Sequence, residues 1–162
     1  MVRVIFILTM VFTILKTTSM SAQKNMLKDS REELVNWVEQ TYAQGALNKL
    51  DIDQVKKGFH PQFNILIPKG DNVFKLSLDK WLEIIQDYKN SSSKVSSGVR
   101  NLEYKIQVLD ITQSIASVKV EFFKNEQLVI TDYISFIRFE QVWMAVSKVS
   151  KEHITNPLNL DL

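Results

Sequence analysis

The chain contains no cysteine. Disulfide frameworks, thiolate metal sites and a thiol nucleophile are therefore excluded, as is a lipid-modified N-terminal cysteine. Glycine is also scarce, with 4 residues in 162. No Gly-rich phosphate loop, P-loop or Gly-x-Ser-x-Gly elbow is present. The two histidines, His60 and His153, stand far apart without a neighbouring acidic cluster, so no metal site is expected. Long apolar runs are missing too. Val4 to Leu15 spans 12 residues, whereas a membrane-spanning helix needs about 20.

The N-terminus has the three-part layout of a secretory signal. Met1-Val-Arg3 is basic, Val4 to Leu15 is apolar, and Lys16 to Ala22 is polar and small. Cleavage after Ala22 or Ser21 leaves an exported chain, periplasmic or secreted, with no stable membrane association after processing. Arg3 and Lys16 leave with the signal, so 18 basic residues face 18 acidic ones in the remainder. A neutral domain gives no electrostatic case for nucleic acid. With 45% apolar residues in 162, one domain with a real core is expected. The organisation reads as a signal at 1–22, a disordered lead at 23–29, one domain at 30–152 and a tail at 153–162.

Ser30-Arg-Glu-Glu33 fits a capping box. Leu34, Val38, Tyr42 and Ala46 then recur every four residues, which predicts one amphipathic helix over about 31–47. Asp51 caps a shorter helix to Lys57, with Gly58 as its left-handed stop. Short strands follow at Phe63 to Ile67 and Val73 to Leu76. Leu78, Trp81, Leu82, Ile85 and Tyr88 mark the next helix, and Asn90 to Gly98 reads as an exposed loop. Four strands are predicted at about 101–111, 114–124, 128–139 and 142–150, joined as consecutive antiparallel hairpins. The third is apolar on both faces, Ile134 and Phe136 on one and Tyr133, Ile137 and Phe139 on the other. Both faces need cover, and a homodimer through the sheet's outer face supplies it.

Several motifs occur in an ordered series: Phe59-His60-Pro61 after a short helix, Leu76-Ser77 before a helix, Ile115-Ala116-Ser-Val-Lys-Val, Thr131-Asp132-Tyr133, and Trp143 with Lys148. Over about residues 31–152 this series resembles the NTF2-like superfamily, in its SnoaL-like branch named putative lumazine-binding. The resemblance implies an α+β cone, with two to three N-terminal helices packed on a curved antiparallel sheet. Gln113-Ser114 and Glu140-Gln141 stand where such proteins often place glycine, which predicts wider or more strained hairpins.

The cone encloses a pocket, and the candidate wall is Trp37, Tyr42, Phe59, Phe63, Trp81 and Tyr104. Each is equally suited to ordinary core packing. Asp132 shares a face with Ile134 and Phe136. It is a general base if alone in apolar surroundings, or a structural carboxylate if paired with Lys148. Lys148, placed by simple alternation on the face of Val146 and Met144, is a partner for Asp132, an anchor for an anionic ligand, or a solvated strand end. His60 is an acid–base candidate or a turn-fixing residue. Three functions remain open. One is a cofactor-free binding domain for a small, mostly apolar or aromatic ligand. Another is an isomerase, dehydratase or hydrolase with Asp132 as base and Tyr42 or His60 as proton donor. The last is a protein-interaction module with a vestigial pocket. The export reading predicts that N-terminal sequencing of protein from its native host starts near Gln23; intact Met1 in a membrane fraction would replace the signal with an anchor.

Overall fold

A computed structural model describes residues 30–160. The export segment 1–22 and the lead 23–29 lie outside the described residues. The chain divides into two compact units, 1–33 and 34–162. Of the first only the helical turn 30–33 is described, and the second carries everything below.

The expected first helix is two helices in one. Helix α1 covers residues 30–38, and the backbone then widens into a π-helical segment, Glu39–Asn48. The sequence stripe survives the change, since Leu34, Val38, Tyr42 and Ala46 are all buried. Two local features explain the widening. The Thr41 hydroxyl donates back to the Trp37 carbonyl at 2.8 Å, competing for a backbone acceptor. Gly45 has no Cβ, and one placed there would sit 2.6 Å from the Gln40 carbonyl oxygen. The segment closes with the Lys49 amide donating to the Gln44 carbonyl, 2.7 Å.

Asp51 caps helix α2, Ile52–Gly58, accepting from the amides of Asp53 and Gln54. Gly58 is not a left-handed stop. It remains helical, and its reason is proximity, because a Cβ there would lie 2.4 Å from the Thr41 side chain. Strand β1, Phe59–Lys69, follows at once and turns into β2, Asn72–Ser77. Helix α3, Leu78–Asn90, is capped by Ser77 and buries Leu78, Trp81, Ile85 and Tyr88. The serine-rich stretch read as a loop contains a short helix, α4, Ser92–Ser96, with no buried residue.

Strands β3 (Glu103–Thr112), β4 (Ile115–Lys124), β5 (Gln127–Phe139) and β6 (Val142–Glu152) form the expected antiparallel meander. The sheet as a whole is mixed rather than antiparallel. Its order is β2-β1-β6-β5-β4-β3, and β1 runs parallel to β6. The hairpins are tight and not widened. Gln113, Asn125, Glu126 and Glu140 all take positive φ in two-residue turns, a conformation that costs a non-glycine residue roughly 1–2 kcal/mol.

Register irregularities bend β3, β5 and β6, and the β1–β6 pairing also shifts between Phe59 and Asn64. Leu109 in β3, Val129 in β5 and Val146 in β6 are each an extra residue without a partner. Such bulges increase twist and re-aim the side chains beyond them. The sheet curves accordingly. Its concave side carries Val118, Val120, Phe122, Ile134, Phe136, Trp143 and Ala145, all buried. The face of β5 bearing Asp132 is therefore the inner one.

Candidate functional site

Asp132 is the polar centre of the concave side and is 0% exposed. A buried carboxylate must be met by donors, and three side chains from two elements supply them. Tyr42, from the π-helical segment, donates its hydroxyl to Oδ2. Lys148 Nζ, from β6, donates to the same oxygen at 3.3 Å and to the Tyr42 oxygen at 2.7 Å. Ser150, two residues on, donates to Oδ1 at 2.6 Å. The result is a closed triangle of Lys148, Tyr42 and Asp132, with Ser150 holding the second carboxylate oxygen.

Lys148 reaches this triangle because of the bulge at Val146. Strict alternation would leave it with Met144 on the outer face. The extra residue moves Lys148 and Ser150 onto the face of Trp143 and Ala145 instead. Burial pushes the Lys148 pKa down, with Asp132 pulling in the opposite direction. Burial raises the Tyr42 pKa well above its ordinary value, and the Asp132 charge adds to the rise. The tyrosine is thus held as a neutral donor.

Aromatic rings surround the triangle. Lys148 Nζ lies 4.9 Å from the Tyr42 ring centroid and 5.6 Å from that of Trp81, within cation–π range. Tyr42 meets Phe59, Trp81 and Phe122 edge to face at 5.8, 6.1 and 5.5 Å. Phe59 and Phe63 pack at 4.7 Å, and Trp81 lies 5.2 Å from Phe59. Such T-shaped pairs place positive ring edges on negative faces.

Six of the sequence candidates thus meet in one place: Tyr42, Phe59, Phe63, Trp81, Asp132 and Lys148. Trp37 and Tyr104 do not join them. The Trp37 indole donates to the Trp143 carbonyl at 2.7 Å. Tyr104 sits at the rim, donating to Glu39 at 2.7 Å and accepting from Gln44 at 2.8 Å. Partial burial and the Glu39 carboxylate raise its pKa. His60 lies within β1, away from the triangle; it stacks on the exposed Phe139, and its Nδ1 accepts the Gln62 amide at 3.2 Å. Ser150, Phe122 and the buried Arg100 escaped the sequence reading. Ser150 had a signal in its two-residue spacing from Lys148, and Phe122 in the alternation that puts it on one face with Ala116, Val118 and Val120. Among the described residues, no group of His, Asp and Glu is arranged to hold a metal, and no helix is long and apolar enough to cross a membrane.

Comparison with known proteins follows the same line. A family model described as putative lumazine-binding matches residues 30–151. An NTF2-like protein of unknown function from Silicibacter pomeroyi DSS-3 is 18% identical, with a TM-score of 0.62 over 78% of this chain and 98% of its own. One from Methylobacillus flagellatus KT is 21% identical, with a TM-score of 0.57 over 78% and 94%. One from Shewanella baltica OS155 is 20% identical, with a TM-score of 0.55 over 76% and 96%. No curated protein matches the chain.

The triangle has a testable cost. Lys148→Met leaves Asp132 buried without its cation, and breaking a buried pair from one side costs ~3–5 kcal/mol. The double variant Asp132→Asn, Lys148→Met should recover part of that loss in urea denaturation. The pH dependence has a definite sign. The folded Lys148 pKa lies below the unfolded one, so between them the unfolded chain binds more protons and stability rises with pH. From about 10 upward the raised Tyr42 value reverses the slope. Lys148→Met should abolish the rise and keep the reversal.

Proposed function

Because this chain belongs to the putative lumazine-binding family of NTF2-like proteins, we propose that its concave interior binds a small, mostly apolar or aromatic ligand. The observation that carries this reading is the buried Tyr42–Asp132–Lys148 triangle inside an aromatic cluster. A buried ion pair is weak support for a fold, since apolar residues of similar volume often do as well or better. An apolar site with a few convergent polar groups and shifted pKa values is what a ligand site requires. In this reading the aromatic rings contact the ligand, and Tyr42 and Lys148 orient it.

Binding is favoured over catalysis by the state of Asp132. Tyr42, Lys148 and Ser150 occupy most of the lone-pair positions that a general base would offer. An interaction module with a vestigial pocket is the second reading. It is favoured by the packing of Tyr42, Phe59, Phe63 and Phe122 on one another at near-zero exposure. Export is proposed with the binding role, on the layout of residues 1–22.

Lumazine, a planar heteroaromatic, is the first probe. Calorimetry on the chain beginning at Gln23 should show saturable binding of lumazine or another small planar aromatic. Affinity should fall about tenfold in Tyr42→Phe, the scale of one lost hydrogen bond. Absence of saturable heat for every such probe at millimolar concentration would leave the interaction module.

A homodimer through the outer sheet face is proposed alongside. Ile115, Ile137 and Met144 form one cross-strand row on that face, Tyr133 and Val149 a second, and Phe139 and Val142 a third. Ile115, Tyr133, Phe139, Val142 and Val149 are all exposed. The first and third rows adjoin, while Ser117, Ser135 and Ser147 separate them from the second; exposed apolar surface marks interfaces, and a twofold arrangement closes on itself. Sedimentation equilibrium should give a dimer at micromolar concentration and a monomer for Ile137→Lys. A monomeric unmodified chain at high micromolar concentration would remove the dimer.

A further inference from the structure

Arg100 lies in the turn between α4 and β3 and is 4% exposed. Its place is tightly set. Two residues on, the Leu102 backbone is clamped by Asn48, whose side chain donates to the carbonyl at 2.9 Å and accepts from the amide at 3.2 Å. The guanidinium stacks 4.3 Å from the Tyr88 ring centroid. Nη1 donates to the Ala46 carbonyl at 3.3 Å. Nε and Nη2 are buried and have no hydrogen-bond partner.

These two orphaned nitrogens are not a random pair. Their N–H bonds leave the same edge of the planar guanidinium in parallel, forming the fork that receives both oxygens of a carboxylate. A guanidinium does not shed its proton to escape burial. Stacking on Tyr88 and the bond to Ala46 explain one face and one donor, and an apolar side chain could fill the same space. They do not explain a charged, desolvated and empty fork.

The charge balance of the interior points the same way. Among the described residues the buried charged side chains are Arg100, Asp132 and Lys148, two cations and one anion. Tyr42 stays neutral. Asp132, the one anion, is already held by Lys148, Tyr42 and Ser150, so Arg100 has no buried carboxylate of its own. Among these buried side chains one cation is left without a buried anion. A monoanion balances it, while a phosphate dianion would overshoot.

We propose that Arg100 is the anion-recognising residue of the interior site and that the ligand is a small aromatic monocarboxylate. Its carboxylate takes the Nε–Nη2 fork, and its ring packs against the Tyr88, Tyr42 and Trp81 side. The proposal rests on the ligand-binding reading above and narrows its chemical class.

The test uses benzoate, its neutral analogue benzamide, acetate and inorganic phosphate on the chain beginning at Gln23. Affinity is measured by calorimetry, and the Arg100 Nε–H signal is followed by NMR. Benzoate should bind, move that signal, and exceed benzamide by about tenfold, as expected of a charge-assisted bidentate contact. Arg100→Gln should lower benzoate to the affinity of benzamide and leave benzamide unchanged. If that variant does not fold, the charged-against-neutral comparison and the Nε–H signal of the unmodified chain decide. Equal binding of benzoate and benzamide overturns the role of Arg100 while preserving an aromatic site. Acetate matching benzoate overturns the aromatic part, and phosphate binding tighter than benzoate overturns the carboxylate. No binding of any probe, lumazine included, overturns this proposal together with the reading beneath it.

Discussion

The Asp132 carboxylate has no exposure, and the inner architecture is arranged around satisfying it. A charge placed there without donors would cost more than any single contact in the domain returns. Tyr42 must therefore come from the helical layer, and Lys148 and Ser150 from the neighbouring strand. Two irregularities serve that end. One is the π-helical segment carrying Tyr42, and the other is the bulge at Val146 that turns Lys148 and Ser150 inward. π-Helical turns and bulges of this kind concentrate at functional sites.

The bulges also give the sheet its inside. A flat sheet would present one even apolar face. Extra residues in β3, β5 and β6 bend the strands, so the concave face closes on Phe59, Phe63 and Trp81 while the outer face stays open. The parallel pairing of β1 with β6 brings the α2–β1 junction, and with it Phe59, beside the strand that carries Lys148. Helical and sheet contributions to the site meet through that pairing.

Arg100 extends the same electrostatic logic. Lys148 has a carboxylate to answer it, whereas Arg100 has a ring, one carbonyl and two vacant donors. The buried charges of the interior are thus unbalanced. An interior that served packing alone would have no reason to keep that imbalance.

Much of the fold was legible in sequence because it depends on local periodicity. The four-residue stripe, the Asp51 cap and the four meander strands follow from hydrophobic spacing and from side chains that bond nearby backbone. Six members of the site were named from their chemistry and strand faces. The remainder depends on exceptions to periodicity. Nothing in Ala145-Val146-Ser147 announces an extra residue, because a bulge is decided by the strand opposite it. Alternation therefore put Lys148 on the wrong face. Gly58 looked like a left-handed stop and was instead a close approach to Thr41, a contact made only after two helices pack. Arg100 sat between the serine-rich stretch and the first predicted meander strand, where no pattern marks burial; its burial comes from Ala46, Tyr88 and the Asn48 clamp, all distant in sequence. The sequence by itself determined the main helices, the four meander strands and which β5 residues share a face, since these follow from neighbours a few positions away. Tertiary structure alone decided which face is inner, where register slips, and which charges are buried together, since those depend on partners that the local chain does not contain.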